Sequence, residues 1–166
     1  MESHTTGKTN ETLSNLRRLL DAGKYREAGE LIRHCGVTSG DLTNAYGVVL
    51  MRSGETAKAV DLYRSLVASA GVSMRADAPT LFKTNFAAAL LVNGNVSGCE
   101  SVLDEIGHED NAGVIRLRQT IRRWKRSLPI WRRIWLTVSG EAPQQTVTLD
   151  FAPSDQLADT SLRPAA

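Results

Sequence analysis

A glycine-centred pattern occurs three times along this chain, and it constrains the fold more than any other feature. Each copy has a glycine, a small residue five positions later and a large apolar residue four positions after that. The copies are Gly23, Ala28 and Ile32; Gly54, Ala59 and Tyr63; and Gly94, Cys99 and Leu103. The glycines lie 31 and then 40 residues apart, which brackets the period of about 34 residues of a common helical repeat. Such self-similarity predicts an array of helix pairs.

Apolar residues upstream of each glycine recur at helical spacing, and a second amphipathic segment follows it. We therefore expect each glycine to end one helix at a positive φ, while the small residue lets the next helix approach closely. Ser39 or Asp41 is expected to cap the second pair, and Asp77, before Pro79, the third. The upstream residues are Leu13, Leu16, Leu19 and Leu20; Leu42, Tyr46, Val49 and Leu50; and Leu81, Phe82, Phe86 and Leu90.

Over residues 10–109 these segments resemble tetratricopeptide repeats, whose pattern is W-x2-L-G-x2-Y followed by A-x3-F and P. The second copy matches best, with Tyr46-Gly47-x2-Leu50 and then Ala59-x3-Tyr63. Thr12, Thr43 and Lys83 stand where the family has its opening tryptophan, so the repeats are divergent. The resemblance implies an all-α, right-handed α–α superhelix of three helix pairs, with a C-terminal capping helix and an extended tail.

In tetratricopeptide proteins the first helix of each repeat lines a concave groove that holds a peptide or a partner's helix. The resemblance implies that Asn44, Asn85 and Arg52 orient a ligand there. The set that captures chaperone C-termini is not reproduced, because Ala45 replaces one asparagine and the clamp lysines are missing. Alternatively, Met51 and Leu91 pack against the chain's own C-terminal segment. The ten predicted groove residues are Arg17, Leu20, Asn44, Val48, Met51, Arg52, Thr84, Asn85, Ala88 and Leu91.

Charge is distributed unevenly along the chain. Eight basic and no acidic residues lie between Asp110 and Glu141, so that segment is +8, and a total of +2 leaves −6 for the rest. Within it, residues 111–126 are predicted to form a capping helix, and residues 127–140 a short amphipathic helix with Trp131 and Trp135 on one face. The segment 141–166 reads as an extended or disordered tail with a strand-like stretch at 146–151.

This basic segment provides a predicted secondary surface. Tryptophan and arginine on an amphipathic helix suit an anionic membrane, and arginines with tryptophans also suit nucleic acid. A simpler interpretation is that the apolar side chains of this segment pack onto the helical repeats, while its arginines stay solvated. The surface comprises Arg122, Arg123, Trp131, Arg132, Arg133 and Trp135.

Several functional classes find no support in the sequence. No catalytic, metal-binding or cofactor-binding set is predicted: no serine lies in a G-x-S-x-G elbow, and His108 near Asp104 is explained by an exposed acidic helix end. Cys35 and Cys99 are expected to be buried as small apolar residues. The absence of a membrane-spanning stretch and of a signal peptide favours a cytoplasmic location.

The sequence therefore predicts a disordered N-terminus at 1–9, a helical repeat domain at 10–126, the short helix at 127–140 and the tail at 141–166. The predicted function is that of a non-catalytic adaptor or scaffold that binds protein or peptide in the groove. Self-association through the tail is a further hypothesis. A membrane-surface or nucleic-acid adaptor that uses residues 116–135 is the alternative.

Overall fold

The computed structural model describes residues 2–36, 39–69, 73–107 and 111–129, with side chains described from residue 9 onward. These residues form seven α-helices, and their one β feature is an isolated bridge between Ala68 and Met74. The protein is therefore all-helical over its described residues, as predicted. The helices are α1 (Glu2–Asp21), α2 (Tyr25–His34), α3 (Gly40–Arg52), α4 (Thr56–Val67), α5 (Thr80–Val92), α6 (Val96–Ile106) and α7 (Ala112–Ser127).

The same turn joins the two helices of each pair. Gly23, Gly54 and Gly94 have φ values of 70°, 83° and 83°, which confirms the predicted positive φ. After each glycine, the next backbone N–H donates to the carbonyl five residues earlier, which is the long bond of a Schellman motif. These bonds run from Lys24 to Leu19 at 2.9 Å, from Glu55 to Leu50 at 2.9 Å, and from Asn95 to Leu90 at 2.8 Å.

The helices are arranged in two layers. The odd-numbered helices contact one another in the order α1, α3, α5 and α7, and each even-numbered helix packs between the odd helices that precede and follow it. Because every helix buries its apolar face against sequence neighbours, one continuous core runs from Leu16 in α1 to Ile121 in α7. The seventh helix packs on α5 and α6, at the end of the stack where a capping helix is expected.

The predicted small residues lie where the helices of a pair approach each other. Ala28, Ala59 and Cys99 are each completely buried at the same position after the turn. In the second pair, Tyr63 of α4 is also completely buried, and its ring lies directly against Gly47 of α3. A β-carbon at Gly47 would overlap this ring, so the close approach of α3 and α4 requires a glycine there.

Helix caps were only partly predicted. Ser39 caps α3, because its hydroxyl oxygen accepts a hydrogen bond from the Leu42 N–H at 3.2 Å. The predicted cap Asp77 is wrong: Pro79 precedes α5 and provides no side-chain cap. Asp77 instead pairs with Arg75 at 3.2 Å, since it lies two residues before the position from which a side chain reaches the first helical N–H groups.

The N-terminus also differs from its prediction. Residues 1–9 were expected to be disordered, yet α1 begins at Glu2. The segment contains no proline, its single glycine, Gly7, costs a helix only about 1 kcal/mol, and Thr9 is buried. The segment therefore continues the helix that Leu13, Leu16 and Leu20 anchor to the core.

The C-terminal predictions fall mostly outside the described residues. The helix predicted at 111–126 is present as α7, and Leu128 after it is buried. Residues 130–166, with most of the predicted short helix and all of the tail, lie outside the described part of the chain. Among the described helices, none is both long and apolar enough to cross a bilayer.

The contact between Gly47 and Tyr63 generates the first prediction. Gly47→Ala should lower the free energy of unfolding by about 1–3 kcal/mol, because the added methyl overpacks against a completely buried ring. Gly29→Ala is the matched control, since a β-carbon there would meet only Val49, at 3.9 Å. This control should stabilise the helix by about 0.5–1 kcal/mol. Chemical denaturation measures both variants, and equal effects would contradict the packing argument.

Candidate polypeptide-binding surfaces

The predicted groove residues lie together in the odd-numbered layer, on α1, α3 and α5. Eight of the ten are buried, and Val48 of α3 and Leu91 of α5 have no exposed area. Arg17 is exposed and Arg52 is half-buried. Most of these residues therefore pack within the protein, and little of their surface is open to a ligand. The eight are Leu20, Asn44, Val48, Met51, Thr84, Asn85, Ala88 and Leu91.

Two of the predicted ligand-orienting residues bond to each other. The Asn85 side-chain amide donates to the Asn44 side-chain carbonyl at 2.8 Å, and both residues are 1% exposed. The Tyr63 hydroxyl donates to the Asn44 backbone carbonyl at 2.7 Å. Burial raises the pKa of Tyr63 well above its ordinary value, so this phenol stays protonated and keeps its donor. The three residues form a buried polar network, called here the asparagine network, that links α3, α4 and α5.

Arg52, the third predicted ligand-orienting residue, also bonds within the protein. Its guanidinium donates to the Leu20 backbone carbonyl at 3.1 Å. Leu20 lies in the last turn of α1, and its carbonyl also accepts a hydrogen bond from the Gly23 N–H at 3.1 Å. Arg52 therefore helps to terminate α1 and ties the first helix pair to the second.

The accessible part of this face is a rim around the buried residues. Asp41 lies three residues before Asn44 and seven before Val48, and Leu81 has the same spacing to Thr84 and Ala88, so both share the predicted groove face. Asp41 and Arg17 are exposed, and Leu81 and Val92 are half-buried. We call Arg17, Asp41, Leu81 and Val92 the groove rim. The groove residues predicted from the sequence did not include Asp41 and Leu81. These two residues lie 40 positions apart, which is also the interval between the glycines of the second and third copies.

The secondary surface is described only in part. Arg122 and Arg123 are exposed on α7, whereas Trp131, Arg132, Arg133 and Trp135 lie outside the described residues. Two other basic residues of α7 form ion pairs with α6. Arg118 pairs with Asp104 at 3.1 Å and also donates to the Leu103 carbonyl at 2.7 Å, and Lys125 pairs with Glu100 at 2.7 Å.

A cleft lies between α6 and α7 beside these ion pairs. Its volume is about 320 Å³, and its floor includes Leu103 and Ile121, which are both buried. Its charged lining comprises Arg118, Arg122, Lys125, Glu100 and Asp104. We call this the α6–α7 cleft.

Titratable groups with shifted pKa values do not converge on a reaction centre within the described residues. Burial raises the pKa of the Cys99 thiol to about 12. Hydrogen bonds to Lys58 and Arg75 lower the pKa values of Glu55 and Asp77, and both carboxylates are exposed at the surface. Across the described ranges, no cluster of three or more His, Cys, Asp or Glu residues is placed to hold a metal ion.

Comparison of the chain with protein-family models, with curated protein sequences and with solved structures returns no match.

The asparagine network generates the second prediction. Asn85→Ala should lower the free energy of unfolding by about 1–3 kcal/mol, because it leaves a buried acceptor on Asn44 without its donor. The double variant with Asn44→Ala should cost less than the sum of the single variants, by about 0.5 kcal/mol or more. Denaturation of the single and double variants measures this coupling. Additive effects would show that the two amides do not depend on each other. Asn10→Ala, at an exposed helical position, is the control and should raise the free energy of unfolding by at most about 0.7 kcal/mol.

The two cysteines generate the third prediction. With its pKa near 12, the folded Cys99 holds only about one thiolate in ten thousand molecules at pH 8, and alkylating reagents attack the thiolate. Cys35 is half-buried and should react much faster. Mass spectrometry after iodoacetamide treatment should find Cys35 modified and Cys99 intact until denaturant is added. Equal modification of both residues in the native protein would contradict the packing of Cys99.

Proposed function

We propose that this protein is a non-catalytic adaptor or scaffold that binds a polypeptide along its odd-numbered helices. The repeated helix pair is the observation that carries the proposal: three pairs share one turn, one small residue at the crossing and one stacking order. Stacked helix pairs create extended surfaces that suit polypeptide ligands. We further propose that the pairs form the right-handed superhelix of divergent tetratricopeptide repeats, with the odd-numbered helices on the concave side.

The groove rim is where we place the ligand. Val48 and Ala88 share the helix faces of Asp41 and Leu81 and are buried, so a ligand lies across the rim instead of entering deeply. Leu81 and Val92 supply apolar surface, which contributes about 25 cal/mol per Å² before the entropic costs of association. Arg17 and Asp41 supply charges of opposite sign, and these favour one direction of a bound chain over the other.

The chemistry of the described side chains supports binding over catalysis. The Cys99 thiol is protonated and buried, and the polar groups of the asparagine network are already hydrogen-bonded to one another. A catalytic group needs access to its substrate and a pKa matched to its task. The proposal that the protein does not catalyse a reaction rests on these properties of the described residues.

The partner is proposed to be a protein or peptide, in the cytoplasm. The C-terminal segment 141–166, with alternating Val147, Leu149 and Phe151, stays a predicted ligand of the same face, either within one chain or between two copies. That segment lies outside the described residues, and its role is a hypothesis that the following experiment separates from binding of other polypeptides.

The fourth prediction tests the rim. Peptides selected from a random phage-displayed library should bind the wild-type protein, and the double variant Arg17→Glu and Leu81→Glu should weaken their binding about tenfold or more. The substitutions reverse one charge and introduce another on an apolar rim residue. Isothermal titration calorimetry with the synthetic peptides measures the affinities, and a synthetic peptide of residues 141–166 is titrated in parallel to test self-recognition.

The matched control introduces the same two substitutions in the even-numbered layer, as Arg26→Glu and Leu62→Glu. Arg26 is exposed like Arg17, and Leu62 is half-buried like Leu81. The control should keep its affinity within about twofold, and circular dichroism must show that both variants remain folded. The proposal would be contradicted if the library yielded no binder, or if the peptides bound the rim variant and the control variant equally.

A further inference from the structure

One face of α7 carries two exposed arginines and an exposed isoleucine. Ile115, Gln119, Arg122 and Arg126 follow one another at intervals of four, three and four residues, so they share one side of the helix. All four are exposed, and Ile115, at 43%, is the one large apolar residue classed as exposed among the described side chains. We call these four residues the α7 stripe.

The stripe adjoins the α6–α7 cleft through Arg122, which belongs to both. Within the cleft, Arg118 and Lys125 are held in place by Asp104 and Glu100. Arg122 forms no ion pair of this kind with a described residue, and it lines the same space of about 320 Å³ as Leu103 and Ile121. The three cations and two carboxylates of the cleft leave its lining with a net charge of +1, which favours a carboxylate, and a guanidinium binds a carboxylate with two parallel hydrogen bonds.

From this geometry we infer a second binding surface, formed by the α7 stripe and the α6–α7 cleft, for an acidic amphipathic polypeptide segment. A glutamate or aspartate of the partner enters the cleft and pairs with Arg122. A second carboxylate, about one helical turn away, pairs with Arg126, and an apolar side chain covers Ile115. The partner therefore presents acidic residues beside apolar ones at helical spacing.

Charge at the cleft favours a polypeptide over nucleic acid. Asp104 and Glu100 line the same cleft as Arg122, and the Asp104 side chain is 72% exposed. A phosphate backbone would bring several closely spaced negative charges to these carboxylates, whereas a peptide brings a single carboxylate to Arg122. The stripe offers two arginines, which suits discrete carboxylates better than a continuous polyanion.

The exposed apolar area of the α7 stripe is small, which suits a polypeptide partner better than a membrane. An interfacial helix buries a broad apolar face in the bilayer, rich in large side chains. The described part of α7 directs Val114, Leu117 and Ile121 into the protein core and exposes only Ile115 among its large aliphatic residues. One isoleucine flanked by arginines is enough for one contact with a partner's apolar residue and too little to anchor a helix in lipid.

This surface is separate from the groove rim, so the two proposals are tested independently. The test uses the full chain and a fluorescein-labelled helical peptide with glutamates on one face and leucines beside them, followed by fluorescence anisotropy. The double variant Arg122→Gln and Arg126→Gln should weaken binding about tenfold or more, since each bidentate carboxylate contact is strong. Ile115→Gln alone should weaken it about threefold or more because it removes the apolar contact.

The matched control removes the same charge from α2, as Arg26→Gln and Arg33→Gln, both at exposed positions. It should change the affinity by no more than about twofold, which separates a local site from attraction by the net charge. A peptide with glutamine in place of every glutamate should bind the wild type at least about tenfold more weakly. The groove-rim variant Arg17→Glu and Leu81→Glu should keep its affinity for the acidic peptide.

Three results would overturn the inference. One is that the acidic peptide does not bind, and another is that it binds the α7 variant as tightly as the α2 control. The third is that single-stranded DNA or phosphatidylserine vesicles bind more tightly than the peptide and lose that binding in the α7 variant, which would assign the surface to nucleic acid or membrane. Thermal unfolding followed by circular dichroism must show that each variant is folded.

Discussion

The glycine turn inside each helix pair is the constraint on which the rest of the structure depends. A Schellman motif needs one residue in the left-handed region, where a β-carbon is disfavoured, so Gly23, Gly54 and Gly94 fix where each first helix stops. The bond that closes the motif then fixes the direction in which the second helix leaves. Because the turn is the same three times, the small residue five positions later always reaches the crossing with the first helix. The regular stack of pairs follows from a short local pattern.

The asparagine network adds a constraint between pairs that apolar packing does not supply. Valines and leucines pack in many registers, whereas two buried amides satisfy each other in very few arrangements. The Asn44–Asn85 bond joins the second pair to the third, and Tyr63 joins the same asparagine to α4. Tyr63 fits there only because Gly47 leaves room for its ring. A repeat-specific glycine, a tyrosine and two asparagines thus set the register of the stack at its centre.

Sequence reasoning predicted the helices and the turns because both depend on local chemistry. Gly23, Gly54 and Gly94 mark their turns in the sequence, and the apolar spacing indicates the helices, although α1 begins eight residues before the predicted helical domain. Exposure was harder to predict. The positions of Val48 and Leu91 on a helix follow from spacing, but whether that face is open depends on how closely α3, α5 and their neighbours approach, which no single segment encodes. Asn44 and Asn85 are separated by 41 residues in the chain, so only the assembled helices reveal that they bond to each other.

Two structural reasons account for basic residues in α7, and they apply to different positions of the helix. Lys125 and Arg126 lie in the last turn, where positive charge interacts favourably with the helix dipole. Arg118 forms an ion pair with Asp104 and donates to the Leu103 carbonyl, and Lys125 also forms an ion pair with Glu100. These contacts join α7 to α6. Neither reason applies to Arg122, which lies away from the last turn and has no carboxylate partner of this kind among the described residues, and Ile115 on the same side is exposed. The inferred acidic segment would give both positions a role, since its carboxylate would pair with Arg122 and its apolar side chain would cover Ile115.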